Sequence, residues 1–217
     1  MHTFSPTDVV GRAFGIYKEQ AGALIPAAIV VYAIAALANL VFDGGVLFFL
    51  AGAIGTIVGI FYQGMVVRLV DDVRDGVLDA SVADLFKSVA PVALPLFLLS
   101  IVVGVCVTIG FILVIVPGLF LLTIWAVSAP AVVLERRGVL DALGRSRELV
   151  RGNGWNVFGV IVIVFVLGIG VGLIAGAIGE LGGHGIAVLA QWAANVLVAP
   201  IAALTTSVLF FTLRDGH

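Results

Sequence analysis

The sequence predicts an all-α integral membrane protein, a helical bundle of six transmembrane helices with three short amphipathic helices at the interface. Three observations predict it. Hydrophobic residues make up 62% of the chain and charged residues only 11%, whereas a soluble domain carries about 25% charge. Residues 90–134 and 185–213 hold no charged residue at all, and a helix needs about 20 apolar residues to cross the hydrocarbon layer. All eleven Lys and Arg residues fall on one side once the spans are drawn. The 217 residues read as one transmembrane domain, 1–217, with no room for a large soluble domain beside the spans.

The elements follow in order. Residues 5–20 read as the first amphipathic helix. Ser5 stands at the N-cap, Pro6 at the first helical position and Asp8 where a capping-box acid belongs. Val10, Ala13, Phe14 and Tyr17 share one face, so the helix suits the headgroup layer. A plain extension of the first span is the alternative. The N-terminus lacks the ordered regions of a cleavable signal. The first span is predicted over 21–42, a tight turn at Asp43-Gly44-Gly45, and the second span over 46–70.

Acidic residues Asp71, Asp72, Asp75 and Asp79 follow and read as a solvated loop rather than a metal site. A second amphipathic helix is predicted over 80–90, with Val82, Leu85, Phe86 and Val89 on one face. Residues 91–113 and 117–134 then form a hairpin of two spans, broken at Pro117-Gly118 with Pro117 opening the fourth helix. Its apolar tip around Ile112–Val116 leaves two arrangements open, a full crossing or a re-entrant pair.

The third amphipathic helix is predicted over 139–151, with Val139, Leu143, Ser146 and Val150 on one face and Arg147 and Arg151 stacked on another. Gly152-Asn153-Gly154 ends it, and Trp155 falls where an interfacial aromatic anchor belongs. The fifth span is predicted over 156–179 and the sixth over 185–213, kinked or tilted at Pro200 because it exceeds the bilayer thickness.

These spans place both termini and the 71–90 and 135–154 segments on one face. That face carries every Lys and Arg, while the other offers only Asp43, Glu180 and His184. The positive-inside rule then puts both termini in the cytoplasm. A three-fold hairpin pseudo-repeat is a further reading, each hairpin preceded by an amphipathic helix. Residues 74–80 and 136–142 echo one another at six of seven positions, and chance similarity of simple helices is the competing explanation.

No catalytic constellation emerges, so the sequence reads as a non-enzyme. The single cysteine, Cys106, lies in an apolar segment and makes no intrachain disulfide. His2 and His217 are terminal and His184 lies in an outer turn, and neither a metal-ligand spacing nor a nucleophile elbow is present. No cofactor is expected. The net charge of −2 gives no footprint for a nucleic-acid partner.

The strongest candidate site is the arginine cluster. Arg136, Arg137, Arg145, Arg147 and Arg151 lie beside the interfacial helix and Trp155. Guanidinium groups grip phosphate bidentately, and basic juxtamembrane helices bind anionic headgroups. The plain alternative is topology-setting charge with local pairs such as Asp141 with Arg145. Within the spans the polar residues are neutral apart from Arg68, which stands at the cytoplasmic end of the second span. Gln191 and Asn195 stand one turn apart and, with Gln63, form a candidate cavity lining. Gly55/Gly59 and Gly168/Gly172/Gly176 give the small-xxx-small spacing of close helix packing.

One pattern resembles a known family. Ile115–Leu119 with its Pro-Gly pair, Ala129–Glu135 and Ala142–Trp155 are together similar to the glycerophosphoryl diester phosphodiesterase membrane-domain family. The resemblance implies a six-span prokaryotic membrane module and picks out Arg145, Ser146, Leu149, Gly152 and Trp155. It implies no activity, because the phosphodiesterase domain has no counterpart here.

The expectation is therefore a multi-pass protein of a prokaryotic cytoplasmic membrane that binds, senses or moves a lipid or other amphiphile. Its expected partners are membrane lipids, anionic by the arginine argument, with a homo-oligomer or a cytoplasmic protein as further partners. A small-solute or peptide transporter and a non-catalytic scaffold for a cytoplasmic enzyme are the alternatives.

Overall fold

The computed structural model describes residues 4–42, 45–75 and 81–216. Over these residues the chain is 92% helical, without strands. Helices α1 (Pro6–Glu19), α2 (Ala21–Val41) and α3 (Gly45–Asp72) come first. Helices α4 (Val82–Val89), α5 (Ala93–Leu113), α6 (Ile115–Ile124), α7 (Ser128–Glu135), α8 (Val139–Val150) and α9 (Gly154–Asp215) follow, with 3-10 turns at Val73–Asp75 and Ala90–Val92. Five segments are long and apolar enough to cross a membrane: 21–41, 49–72, 82–113, 115–135 and 154–215. The predicted turn residues Asp43 and Gly44, and most of the 74–80 half of the sequence echo, lie outside the described residues.

The expected six spans appear as five segments because the last two run into one 62-residue helix, α9. That helix is not straight. Gly183 breaks it at φ 75 and ψ −176, a conformation only glycine adopts without strain. Beyond the break the chain doubles back. A Cβ placed on Gly179 would stand 2.9 Å from the Ala187 Cβ, and one on Gly168 would stand 3.9 Å from Val198 Cγ1. A straight helix would hold residues 168 and 198 about 45 Å apart. The two arms therefore lie antiparallel about Gly183. Pro200, expected to kink the second arm, is buried within helical backbone, and Gly183 is the one non-helical residue inside α9.

The α5–α6 hairpin turns three residues earlier than Pro117 predicts. Val114 is extended at φ −161 and ψ 147, and Pro117 sits in the first turn of α6, where its missing N–H costs nothing. The arms meet backbone to backbone, since a Cβ on Gly110 would lie 2.9 Å from both Cα and N of Gly118. The expected continuous span over 117–134 is divided at residues 125–127 into α6 and α7. Ser146 is the reason: its hydroxyl donates to the Ile124 carbonyl at 2.9 Å and accepts the Val127 N–H at 3.2 Å. A side chain from α8 thus satisfies backbone groups that a turn would leave without partners.

Among the α-helices whose N-cap residue is described, only α4 has a side-chain N-cap bond. Ser81 caps α4 by accepting the Asp84 N–H at 3.2 Å. Ser5 stands at the N-cap of α1 but makes no cap bond; its hydroxyl pairs instead with Thr7 at 2.7 Å. Thr205, Thr206 and Ser207 donate to carbonyls one turn back at 2.6–2.8 Å, so α9 satisfies them internally rather than lending them to neighbours.

The core is concentrated at one end. Met65, Val66, Val67 and Leu69 of α3, Ala131, Val132 and Val133 of α7, Leu149 of α8, and Leu204, Leu209 and Phe210 of α9 are all buried. Val9, Val10 and Ala13 of α1 close it from the side. The far halves of the long helices leave Val30, Leu37, Phe165, Leu173 and Leu189 exposed, as lipid-facing surface would. At the packed end Arg74 stacks 4.2 Å over the Phe211 ring and pairs with Asp215 at 2.7 Å. Arg214 covers the same ring from 4.8 Å. These contacts tie the end of α3 to the end of α9.

Candidate functional site

Helix α8 is amphipathic, and its apolar face is fully committed: Ala142, Leu143, Ser146, Leu149 and Val150 are buried. Gly152 at φ 90 reverses the chain, and Asn153 stands at the N-cap from which α9 begins. That turn leaves Trp155 86% exposed, packed edge-on against Phe158 at 6.1 Å between ring centres.

The arginines divide into two groups. Arg145 bonds Glu148 at 2.9 Å and Glu135 at 3.2 Å. Those bonds, Glu148 first, hold its guanidinium even more firmly protonated than usual. Arg137 also pairs with Glu135. Arg136 caps α7 in the left-handed region at φ 51. The predicted Asp141–Arg145 pair is replaced by these glutamate contacts. Arg147 and Arg151 instead line a cleft of about 590 Å³ with Phe120, Ile124, Gly144 and Gly152. Glu148 also borders it, its charge met by Arg145.

That cleft continues into an apolar groove of about 720 Å³. Phe120, Ile124, Gly152 and Gly154 border both. Val116, Leu119, Thr123, Trp155 and Phe158 complete the groove, which runs between α6 and the start of α9. Two cationic side chains thus stand at the head of a channel walled by aromatic and aliphatic groups. Phosphate and hydrocarbon are the chemistries that match its two parts.

The second sequence candidate is met in part. Gln191 and Asn195 line a separate cleft of about 310 Å³ between α2 and the two arms of α9. Gln63, on α3, does not line it. Tyr32, Asn39, His184 and Trp192 do. Tyr32 and Asn39 stand at i and i+7 on α2, a spacing that marks one helical face in the sequence. Phe120, Ile124 and Phe158 carried no such signal, since apolar residues line every face of these segments.

The model of an uncharacterised protein family, UPF0259, matches residues 48–203. This match corrects the resemblance to the glycerophosphoryl diester phosphodiesterase membrane-domain family, for which nothing else speaks. Pro-Gly breaks and basic interfacial residues between apolar helices follow from turn and interface chemistry alone, so such short patterns do not identify a family. No curated protein and no solved structure matches the chain.

Proposed function

The chain belongs to UPF0259, an uncharacterised family, and from that premise we propose that it binds a lipid or other anionic amphiphile. The single observation that carries the reading is the junction of the Arg147–Arg151 cleft with the apolar groove of Phe120, Trp155 and Phe158. A headgroup phosphate matches the guanidinium pair, and an acyl chain matches the groove. The reading is of a non-catalytic protein that holds, senses or passes on the lipid.

The proposal includes a topology of six crossings in a prokaryotic cytoplasmic membrane, both termini inside. The antiparallel arms of α9 about Gly183 support the sixth crossing, and the one-sided Lys and Arg distribution supports the orientation. Helices α1, α4 and α8 each precede a hairpin, which supports three related units.

Native mass spectrometry tests the lipid reading. Phosphatidylglycerol is expected to stay bound at activation energies that strip phosphatidylcholine. An Arg147→Ala/Arg151→Ala variant is expected to lose that difference. Equal retention of phosphatidylglycerol by wild type and variant overturns the reading.

A further inference from the structure

We infer a second binding site, at the end of the molecule away from the arginines, for a small neutral solute that both donates and accepts hydrogen bonds. The site is the cleft of about 310 Å³ between α2 and the arms of α9. It goes beyond the lipid reading and does not depend on it.

Position comes first. His184 follows the Gly183 reversal directly, so the cleft begins at the tip of the α9 hairpin. Gln191 and Asn195 lie two and three turns further along the same arm, about 10 and 16 Å deeper. Tyr32 and Asn39 face them from α2. The cleft therefore reaches from the tip toward the middle of the apolar segments.

Its chemistry comes next. Among the described residues no Asp, Glu, Lys or Arg lines it; the walls between the polar groups are Ala, Gly and Val. Asn39 gives one amide N–H to the Ala35 carbonyl at 2.8 Å, which leaves its second N–H and its carbonyl oxygen. Gln191 and Asn195 each offer an amide donor and an acceptor, and Tyr32 a hydroxyl. Trp192 lines the cleft beside them. Carboxamides within an apolar span are costly, and a hydrogen-bonding occupant lowers that cost.

Size and charge define the occupant. The volume equals that of about ten waters, which suits a carboxamide or short polyol of similar atom count. Among the described residues a charged solute meets no Asp, Glu, Lys or Arg in the lining, and His184, at the tip, is the one ionisable side chain besides Tyr32, so deeper in the cleft its desolvation goes uncompensated.

Saturation-transfer NMR on the full chain in lipid nanodiscs tests the site with acetamide and glycerol as neutral probes and sodium acetate as the charged one. Transfer is expected to acetamide or glycerol and at least five-fold less to acetate. Gln191→Leu/Asn195→Leu and, separately on the other helix, Asn39→Leu are each expected to cut the signal at least five-fold while eluting as folded protein. Trp125→Phe/Trp155→Phe leaves Trp192 as the one tryptophan, and its emission is expected to shift with the same probe. Arg147→Ala/Arg151→Ala is expected to keep solute binding, so failure of the lipid reading is told apart from failure of this one. Equal transfer to acetate, or undiminished transfer in both Leu variants, overturns the inference, as does no transfer from the wild type.

Discussion

The Ser146 hydroxyl accepts the Val127 N–H at 3.2 Å across nineteen residues of chain. It also donates to the Ile124 carbonyl at 2.9 Å, and Ser146 itself is 0% exposed. One small side chain thus fixes where α6 stops, where α7 starts and how α8 lies against both. Arg147 follows it directly, so the clamp also positions the head of the groove.

Ser146→Ala is therefore expected to lower stability by about 2 kcal/mol, since the buried Val127 N–H and the part-buried Ile124 carbonyl lose their partner at once. Thermal unfolding in detergent reads this as a lower midpoint. An unchanged midpoint would mean that the 125–127 turn is held by something other than this hydroxyl.

The α5–α6 hairpin makes a sharper contrast between two glycines of one helix. A Cβ on Gly110 would meet the Gly118 backbone at 2.9 Å, whereas one on Gly104 would meet nothing within 4 Å. Gly110→Ala should destabilise by about 1–3 kcal/mol, the range for overpacking, because backbone cannot step aside as a side chain can. Gly104→Ala should be neutral or slightly stabilising. Equal midpoints for the two variants in the same unfolding assay would contradict the close approach.

Much of this architecture was legible in particular residues. Gly152-Asn153-Gly154 predicted the end of α8, and Gly152 indeed has positive φ. Apolar spacing located α1, α4 and α8 to within two residues at each end. The break at 125–127 was illegible, because Trp125-Ala126-Val127 continues an apolar helical run and the turn exists only where Ser146 reaches it from α8. The site was legible as charge but not as geometry. Five clustered arginines look alike in sequence; Glu135 and Glu148 separate them, and Glu135 lies ten residues from Arg145. Gln191 and Asn195 shared a face by spacing alone, while Gln63 did not join them, because spacing within one helix says nothing of which neighbour it meets.

Topology yields to labelling. In a Cys106→Ser background, Leu181→Cys at the α9 tip, where Leu181 is exposed, is expected to react with a membrane-impermeant maleimide in intact cells. Arg147→Cys is expected to react only after permeabilisation. Val114→Cys, at the turn between α5 and α6, is expected to react from outside, as full crossing by this hairpin requires; no reaction in either state would make it a re-entrant pair, with the exposed apolar neighbours Ile112, Leu113, Ile115 and Val116 held in lipid. Labelling of Arg147→Cys from outside would reverse the proposed orientation.

The last prediction separates structural from binding arginines. Arg145 and Glu135 are 22% and 18% exposed and bond at 3.2 Å, and Arg137 shares the same carboxylate. Removing the Arg145 guanidinium leaves a half-buried carboxylate short of a donor, at a cost of about 1–3 kcal/mol. Arg145→Ala should therefore lower the unfolding midpoint while phosphatidylglycerol retention, corrected for folded fraction, stays near wild type. Arg147→Ala should do the reverse, because no acidic partner holds Arg147 among the described ion pairs and it borders the cleft. Arg147→Lys then distinguishes recognition from bulk charge. A lysine keeps the charge but not the planar fork, so a bidentate phosphate contact predicts partial loss, whereas simple attraction to an anionic surface predicts none. Retention that fell equally for Arg145→Ala and Arg147→Ala would mean that the cluster acts only as a diffuse positive field.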